Sequence, residues 1–195
     1  DGDGEDRPEE IKNFIENINF NPDKVIVGER VKRTEKLIFK VCYKAHKAIT
    51  YISTGQSIKF GNYTCLPKFT IDKMINEKAT WSSFSGALQK VENDKVEVPS
   101  ERGVRYFGPS KMSFLNLIKH SLSIISVFKI NVLIRSILFL VVYLFLISEN
   151  ISNVTLIPFY LVILLNILTF YFSNRENLHQ FNNSLTNIGD IEKIK

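Results

Sequence analysis

The chain is 195 residues long, 45% apolar and carries a formal net charge of +5. That length gives room for one ordinary domain, or for a smaller one with an addition. Two cysteines, Cys42 and Cys65, exclude a disulfide framework and fit a reduced, cytosolic setting.

The opening "DGDGEDRPEE" is dense in carboxylates and carries no initiator Met, which fits a piece of a longer protein. "RPEEIKNFIENIN" (7–19) predicts a helix. Pro8 suits a first turn, Glu9 and Glu10 suit the positive helix end, and Ile11, Phe14, Ile15 and Ile18 form an apolar stripe. Asp6 is the expected helix cap. A helix entered straight from an acidic turn implies a strand before it, and the chain contains no such strand.

"KVIVGER" (24–30) reads as a short buried strand, and "KRTEKLIFKVCYKAHKAIT" (32–50) as a basic amphipathic helix. "SIKFGNYTCLPK" (57–68) has strand character around Gly61. "TIDKMINEK" (70–78) and "WSSFSGALQKV" (81–91) read as helices, and "KVEVPS" (95–100) as a strand. Helix and strand alternate, so the expected class is α/β. Tyr63 and Trp81 suit a core better than a sugar-stacking site.

"KMSFLNLIKHSLSIISVFK" (111–129) repeats Phe114, Leu117, Ile118, Leu122, Ile125 and Phe128 at helical intervals. Asn116, Lys119, Ser123 and Ser126 fall on the other side. This predicts an amphipathic helix lying in a membrane interface, with His120 on its polar face. Two apolar runs follow, 130–148 and 154–173, separated by "ENISN". Each is about long enough to cross a ~30 Å hydrocarbon layer as a helix. The alternative is a hairpin buried inside a soluble protein. Lys111, Lys119, Lys129 and Arg135 lie before or at the start of the first run and Arg175 follows the second, so both ends are expected on the cytoplasmic side. The basic residues track the membrane side and no basic–aromatic motif is present, so nucleic acid is not an expected partner.

Four blocks resemble family 2 glycosyltransferases, in particular the membrane-tethered group that includes dolichyl-phosphate mannose synthase and bacterial polyprenyl-phosphate glucosyltransferases. "DGDGEDRPEEI" resembles the Asp-x-Asp turn that leads through Pro and Glu into a helix. "VIVGERVKR" resembles a strand ending Gly-x-Arg with another Arg soon after. "FGNY" is similar to the Gly-x-Phe/Tyr step of the acceptor half. "RYFGPSKM" resembles the Arg-x-x-Gly-x-Ser-Lys segment before the membrane helices. The blocks occur in family order and cover about residues 1–130.

The resemblance implies the carboxyl-terminal part of a Rossmann-like GT-A domain (1–110). An interfacial helix (111–129), two transmembrane helices (130–173) and a cytoplasmic tail (174–195) would follow. It implies a multi-pass membrane enzyme that takes a sugar from a nucleotide sugar. The acceptor would be a polyprenyl or other lipid phosphate, or else a glycan hydroxyl in polysaccharide or lipopolysaccharide assembly. Asp1 and Asp3 would hold Mg²⁺ or Mn²⁺ and bind donor, with Asp3, Arg105 and Lys111 as catalytic residues. Arg30, Arg33 and Ser110 would bind substrate phosphates, with Arg102 a less certain neighbour.

The carboxylate chemistry is coherent. A departing diphosphate builds negative charge, and a hard cation held by oxygen ligands neutralises it. No acid follows Trp81 until Glu92, so a general base is missing where hydroxyl-glycosylating members carry one. An anionic lipid phosphate needs no base, only positioning by arginine forks. Gln56, Ser57 and Lys59 depart from the family pattern and leave the acceptor open. A non-catalytic membrane adaptor with a lipid-binding basic domain is the reading from a different class. A homo-oligomer is left open, and the isolated piece is expected to be inactive.

Overall fold

A computed structural model of the chain describes residues 4, 6–32, 37–101, 103, 106 and 113–183. A 3-10 turn, Pro8–Glu10, leads into α1 (Ile11–Phe20). Then come β1 (Val25–Lys32), α2 (Leu37–Thr54), β2 (Phe60–Cys65), α3 (Lys68–Asn76), a second 3-10 turn (Lys78–Trp81), α4 (Phe84–Val91) and β3 (Lys95–Glu101). The last helices are α5 (Phe114–Ser126), α6 (Lys129–Ile147), α7 (Ile157–Ser173) and the short α8 (Leu178–Asn182). The class is mixed α/β, as the alternation of elements implies.

The sheet has three strands in the order β2-β1-β3. Central β1 runs antiparallel to β2 and parallel to β3. Val25, Ile26 and Val27 are all fully buried, the pattern of a strand covered on both faces. Side-chain alternation sends Val25 and Val27 to one face, where they meet Phe60, Met74, Ala87, Leu88, Val127 and Phe128. Ile26 faces the other way and packs with Phe14 of α1 and Val98 of β3.

Two predicted faces are corrected. On α1, Phe14 is buried, but Ile11 and Ile15 are 50% and 52% exposed, because the helix meets the sheet through Phe14 and Ile18 and needs a narrower stripe than the sequence offers. On α5, Ser123 and Ser126, assigned to the polar side, are 2% and 0% exposed, while Phe114, Leu115 and Ile118 lie open. Serine is small enough to let helices approach closely. Ser126 satisfies its hydroxyl by donating to the Ser123 carbonyl (2.9 Å), and Ser123 Oγ accepts from Arg175 beyond the end of α7 (3.1 Å). The helix cap also differs. Arg7 is the cap residue of the first 3-10 turn and makes no side-chain cap bond, so Asp6 lies one residue outside that position.

α6 and α7 run antiparallel. Lys129 Nζ meets Ser173 Oγ (3.3 Å) at one end, Asn166 Nδ2 donates to Ser136 Oγ (2.8 Å), and Tyr143 OH donates to the Thr155 carbonyl (2.6 Å) near the other. The link is longer than the predicted turn. Thr155 bonds back to Ser152 and Asn150, and α7 starts only at Ile157, next to Pro158. At 1.5 Å per residue the helices are about 28 and 26 Å long. Among the described residues, α6 is the one helix both long and apolar enough to cross a membrane; α7, with 17 residues, is a shorter apolar helix. A hairpin buried inside the protein does not fit, since Leu138, Phe145 and Leu146 are 63%, 79% and 71% exposed.

The foot of α6 is fastened to the end of α2. Arg135 Nη1 donates to the Ile52 carbonyl (3.2 Å) and Asn131 Nδ2 to the Thr54 carbonyl (3.3 Å). These are carbonyls that a helix C-terminus leaves without partners, and the cation also suits the negative end of the helix dipole. Gly55, at φ +77, passes under the guanidinium; a Cβ there would stand 2.6 Å from Arg135 Nη2. The one charge in the first apolar run is thus spent on a helix cap.

Two outcomes follow. Arg135→Ala should speed amide exchange in the last turn of α2 several-fold while leaving β1 protected; equal protection in both proteins would refute the cap. His46 is half-buried on α2 with Nδ1 3.3 Å from Thr50 Oγ1. Desolvation, and secondarily the charge of His120, lowers its pKa below the usual imidazole value of about 6.5. The unfolded chain then takes up the proton first, so stability falls as pH drops below about 6.5. His46→Gln should flatten that loss in melting temperatures measured between about pH 6.5 and 5.

Candidate functional site

In an open α/β sheet, ligands gather at the carboxyl ends of parallel strands. Here that edge is formed by β1 and β3, in register from Val25 opposite Lys95 to Arg30 opposite Ser100, with a one-residue shift before Lys32 opposite Glu101. The described part of the acidic segment lies along it, held at two points.

The first point is Glu10. Its carboxylate accepts from Ser100 Oγ (2.6 Å) and from the Glu101 backbone N–H (2.7 Å), both at the end of β3. The second is Tyr63 on β2, whose hydroxyl donates to the Arg7 carbonyl (3.2 Å). Tyr63 reaches across because β1 carries Gly28 beneath it; a Cβ there would lie 3.0 Å from Tyr63 Cδ1. Its ring packs against Phe14 with centroids 4.6 Å apart. Desolvation raises the Tyr63 pKa, and the nearby charges of Glu10, Asp6 and Glu9 raise it further. The phenol therefore stays protonated and serves as a donor.

Gly4 sits at φ +87, a backbone conformation that a residue with a side chain rarely adopts. A Cβ on Gly4 would meet the Tyr106 ring at 2.7 Å, and one on Gly103 would collide with the Gly4 carbonyl. The two glycines let the acidic segment and the chain after β3 lie backbone to backbone. Tyr106 covers Gly4 and is itself 65% exposed.

Of the residues expected to carry chemistry, Asp1, Asp3, Arg33, Arg105, Ser110 and Lys111 lie outside the described residues, as does Arg102. Arg30 is described as a backbone position on β1, opposite Ser100, the residue that binds Glu10. Its position is therefore one strand away from the anchor of the acidic segment. Among the described residues no group of three His, Cys, Asp or Glu side chains could hold a metal ion. Glu10 is committed to β3.

The residues around Gly61 have structural partners. Gln56 Oε1 accepts from Gln89 Nε2 (3.1 Å), and Lys59 lies between Glu97 (3.3 Å) and Glu29 (3.6 Å). Glu92, the first acid after Trp81, pairs with Lys73 at 3.1 Å. A cleft of about 320 Å³ opens elsewhere, between the end of α4 and the α5–α6 junction. Gln56, Gln89, Asn93, Lys129 and Asn131 line it. It adjoins the amino end of β3, at the opposite end of that strand from the edge that holds the acidic segment.

Sequence reasoning missed Glu10, Ser100 and Gly103 as parts of this edge. Glu10 was legible only as a helix-start acid; its partners stand 90 and 91 positions away. No protein-family model, curated protein or solved structure matches the chain.

Removing the Glu10 carboxylate should matter more than its half-exposed position suggests. Hydrogen bonds to a charged group contribute roughly 1.5–3 kcal/mol each, and one of the two partners is a backbone N–H. Glu10→Ala is expected to cost about 2 kcal/mol and to raise amide exchange at Glu101. Unchanged exchange at Glu101 would show that the anchor does not hold in solution.

Proposed function

We propose that the chain is part of a membrane-tethered glycosyltransferase that moves a sugar from a nucleotide sugar to a lipid phosphate at the cytoplasmic face. The observation that carries the reading is the pinning of the acidic segment to the carboxyl edge of the parallel pair β1/β3. An adaptor for anionic lipid has no use for carboxylates held there. The exposed apolar sides of α6 and α7 support the tether. The antiparallel pair returns Lys129 and Arg175 to the same end, where the basic residues of a cytoplasmic boundary would sit.

In this reading Asp1 and Asp3 hold Mg²⁺ or Mn²⁺, which when bound neutralises charge on the diphosphate leaving group. Arg30 and Arg33 bind phosphate oxygens from the β1 side. Arg105, Ser110 and Lys111 would serve the donor and acceptor phosphates, the role that the resemblance implies for them. No residue acts as general base, because the acceptor oxygen is already anionic at neutral pH. Pinning of the acidic segment supplies orientation.

The test uses the full-length protein in membranes, a panel of radiolabelled nucleotide sugars, and lipid extraction. Label should enter the lipid fraction in a metal-dependent way. Label found only in a base-stable, non-lipid polymer would overturn the lipid-phosphate acceptor in favour of a glycan hydroxyl. No transfer of any sugar, with membrane insertion intact, would leave a tethered basic adaptor. Asp3→Asn should abolish transfer without disturbing insertion; unchanged transfer would remove Asp3 from the site.

A further inference from the structure

The second 3-10 turn sits level with the place where the apolar helix pair ends. Glu176, three residues past α7 and 5% exposed at its side chain, lies 3.4 Å from Lys129 Nζ at the start of α6 and 3.8 Å from Lys78 Nζ in that turn. α8, the next element, packs against the same turn. Lys78 thus fastens the turn to the boundary between apolar helix and charged chain. Beside it stand Ile75, 58% exposed at the end of α3, and Trp81, 42% exposed at the end of the turn. Inward anchoring is complete without them. Met74 and Ala79 fill the core, Glu77 turns back to Lys90 at 2.9 Å and accepts from the Ala79 N–H (3.1 Å), and Thr80 Oγ1 donates to the Met74 carbonyl (2.8 Å). The turn is held rigidly, yet it presents an indole and an isoleucine outward.

We propose that Ile75, Lys78 and Trp81 form a lipid-contacting patch that seats the α/β domain in the headgroup layer next to the helix pair. The proposal rests on the membrane reading given above. The chemistry fits one occupant, an anionic bilayer surface. An indole combines an apolar ring with a polar N–H and settles at headgroup depth, and a lysine stem lies along acyl chains while its ammonium stays among phosphates. Through Glu176, Lys78 reaches the start of α6 and the chain just past α7, so a bilayer that holds those helices would end next to this turn. The domain would then have a second point of contact beside the hairpin, and so a fixed tilt toward the membrane.

Trp81 is the single tryptophan of the chain, so its fluorescence reads the patch directly. The full chain is reconstituted in vesicles of phosphatidylcholine and phosphatidylglycerol carrying bromine at shallow or deep acyl positions. Retention after alkaline carbonate washing is scored in parallel. The expected result is retention, blue-shifted emission, and quenching several-fold stronger by shallow than by deep bromine. Ile75→Asp should weaken the shallow quenching while retention is unchanged. Retention with Trp81 open to aqueous acrylamide and untouched by bromolipid overturns the patch but leaves the membrane reading standing. Retention with Trp81 shielded from both quenchers means that protein covers the turn, and also overturns the patch. Preferential deep quenching overturns the headgroup placement. Release by carbonate overturns the membrane reading and the patch together.

Discussion

A single carboxylate holds the acidic segment where a ligand edge would need it. Glu10 accepts from a hydroxyl and a backbone N–H of β3, so the chain ahead of α1 cannot drift from the strand ends without stranding a donor. A carboxylate with two good donors resists replacement better than a single neutral bond would. The rest of the edge is arranged around that grip. Gly28 clears a path for Tyr63, Tyr63 bonds Arg7 from the far side of β1, and Gly4 passes closely beneath Gly103 and Tyr106. The segment is held from both flanks of the central strand, which is itself fixed by complete burial on both faces.

A second electrostatic junction joins this domain to the helix pair. Glu176 is nearly buried, and a buried carboxylate is tolerable only with cations close by. Lys129 and Lys78 come from α6 and from the turn before α4, so one acid connects three parts of the chain that are far apart in sequence. Arg135 does similar work at the end of α2. The α/β domain and the apolar helices are therefore fastened by charged and amide side chains as well as by packing.

Much of the element order was legible in the sequence. "KVIVGER" and "KVEVPS" carry the β-branched signature of buried strands, and the apolar periods of α2, α4 and α5 mark helices. The faces were less legible. The stripe of α1 is wider than the surface it covers, leaving Ile11 and Ile15 open, and the serines of α5 read as a polar face although they line a close helix contact. Periodicity states that two sides differ; it does not state which side meets protein when small polar residues can satisfy themselves along the helix. The candidate edge was half legible. The acidic turn and Arg30 stand out as a pattern, whereas Glu10, Ser100 and Gly103 matter only because the fold closes a loop of about ninety residues on them. Arg135 looked like a topology signal, and nothing local announces that its partner is a helix end eighty-three positions earlier.

The bond from Asn166 to Ser136 has a mechanical consequence. Sliding α7 along α6 by one turn would pull the amide from the Ser136 hydroxyl, leaving Asn166 Nδ2 with only the Val162 carbonyl of its own helix (2.8 Å); in the membrane setting proposed above no water would replace the lost contact. The bond opposes any change in the vertical offset of the two helices. If the pair spans a bilayer, as proposed above, that bond favours leaning, or drawing the lipids toward the pair's own height, over telescoping where the thickness differs.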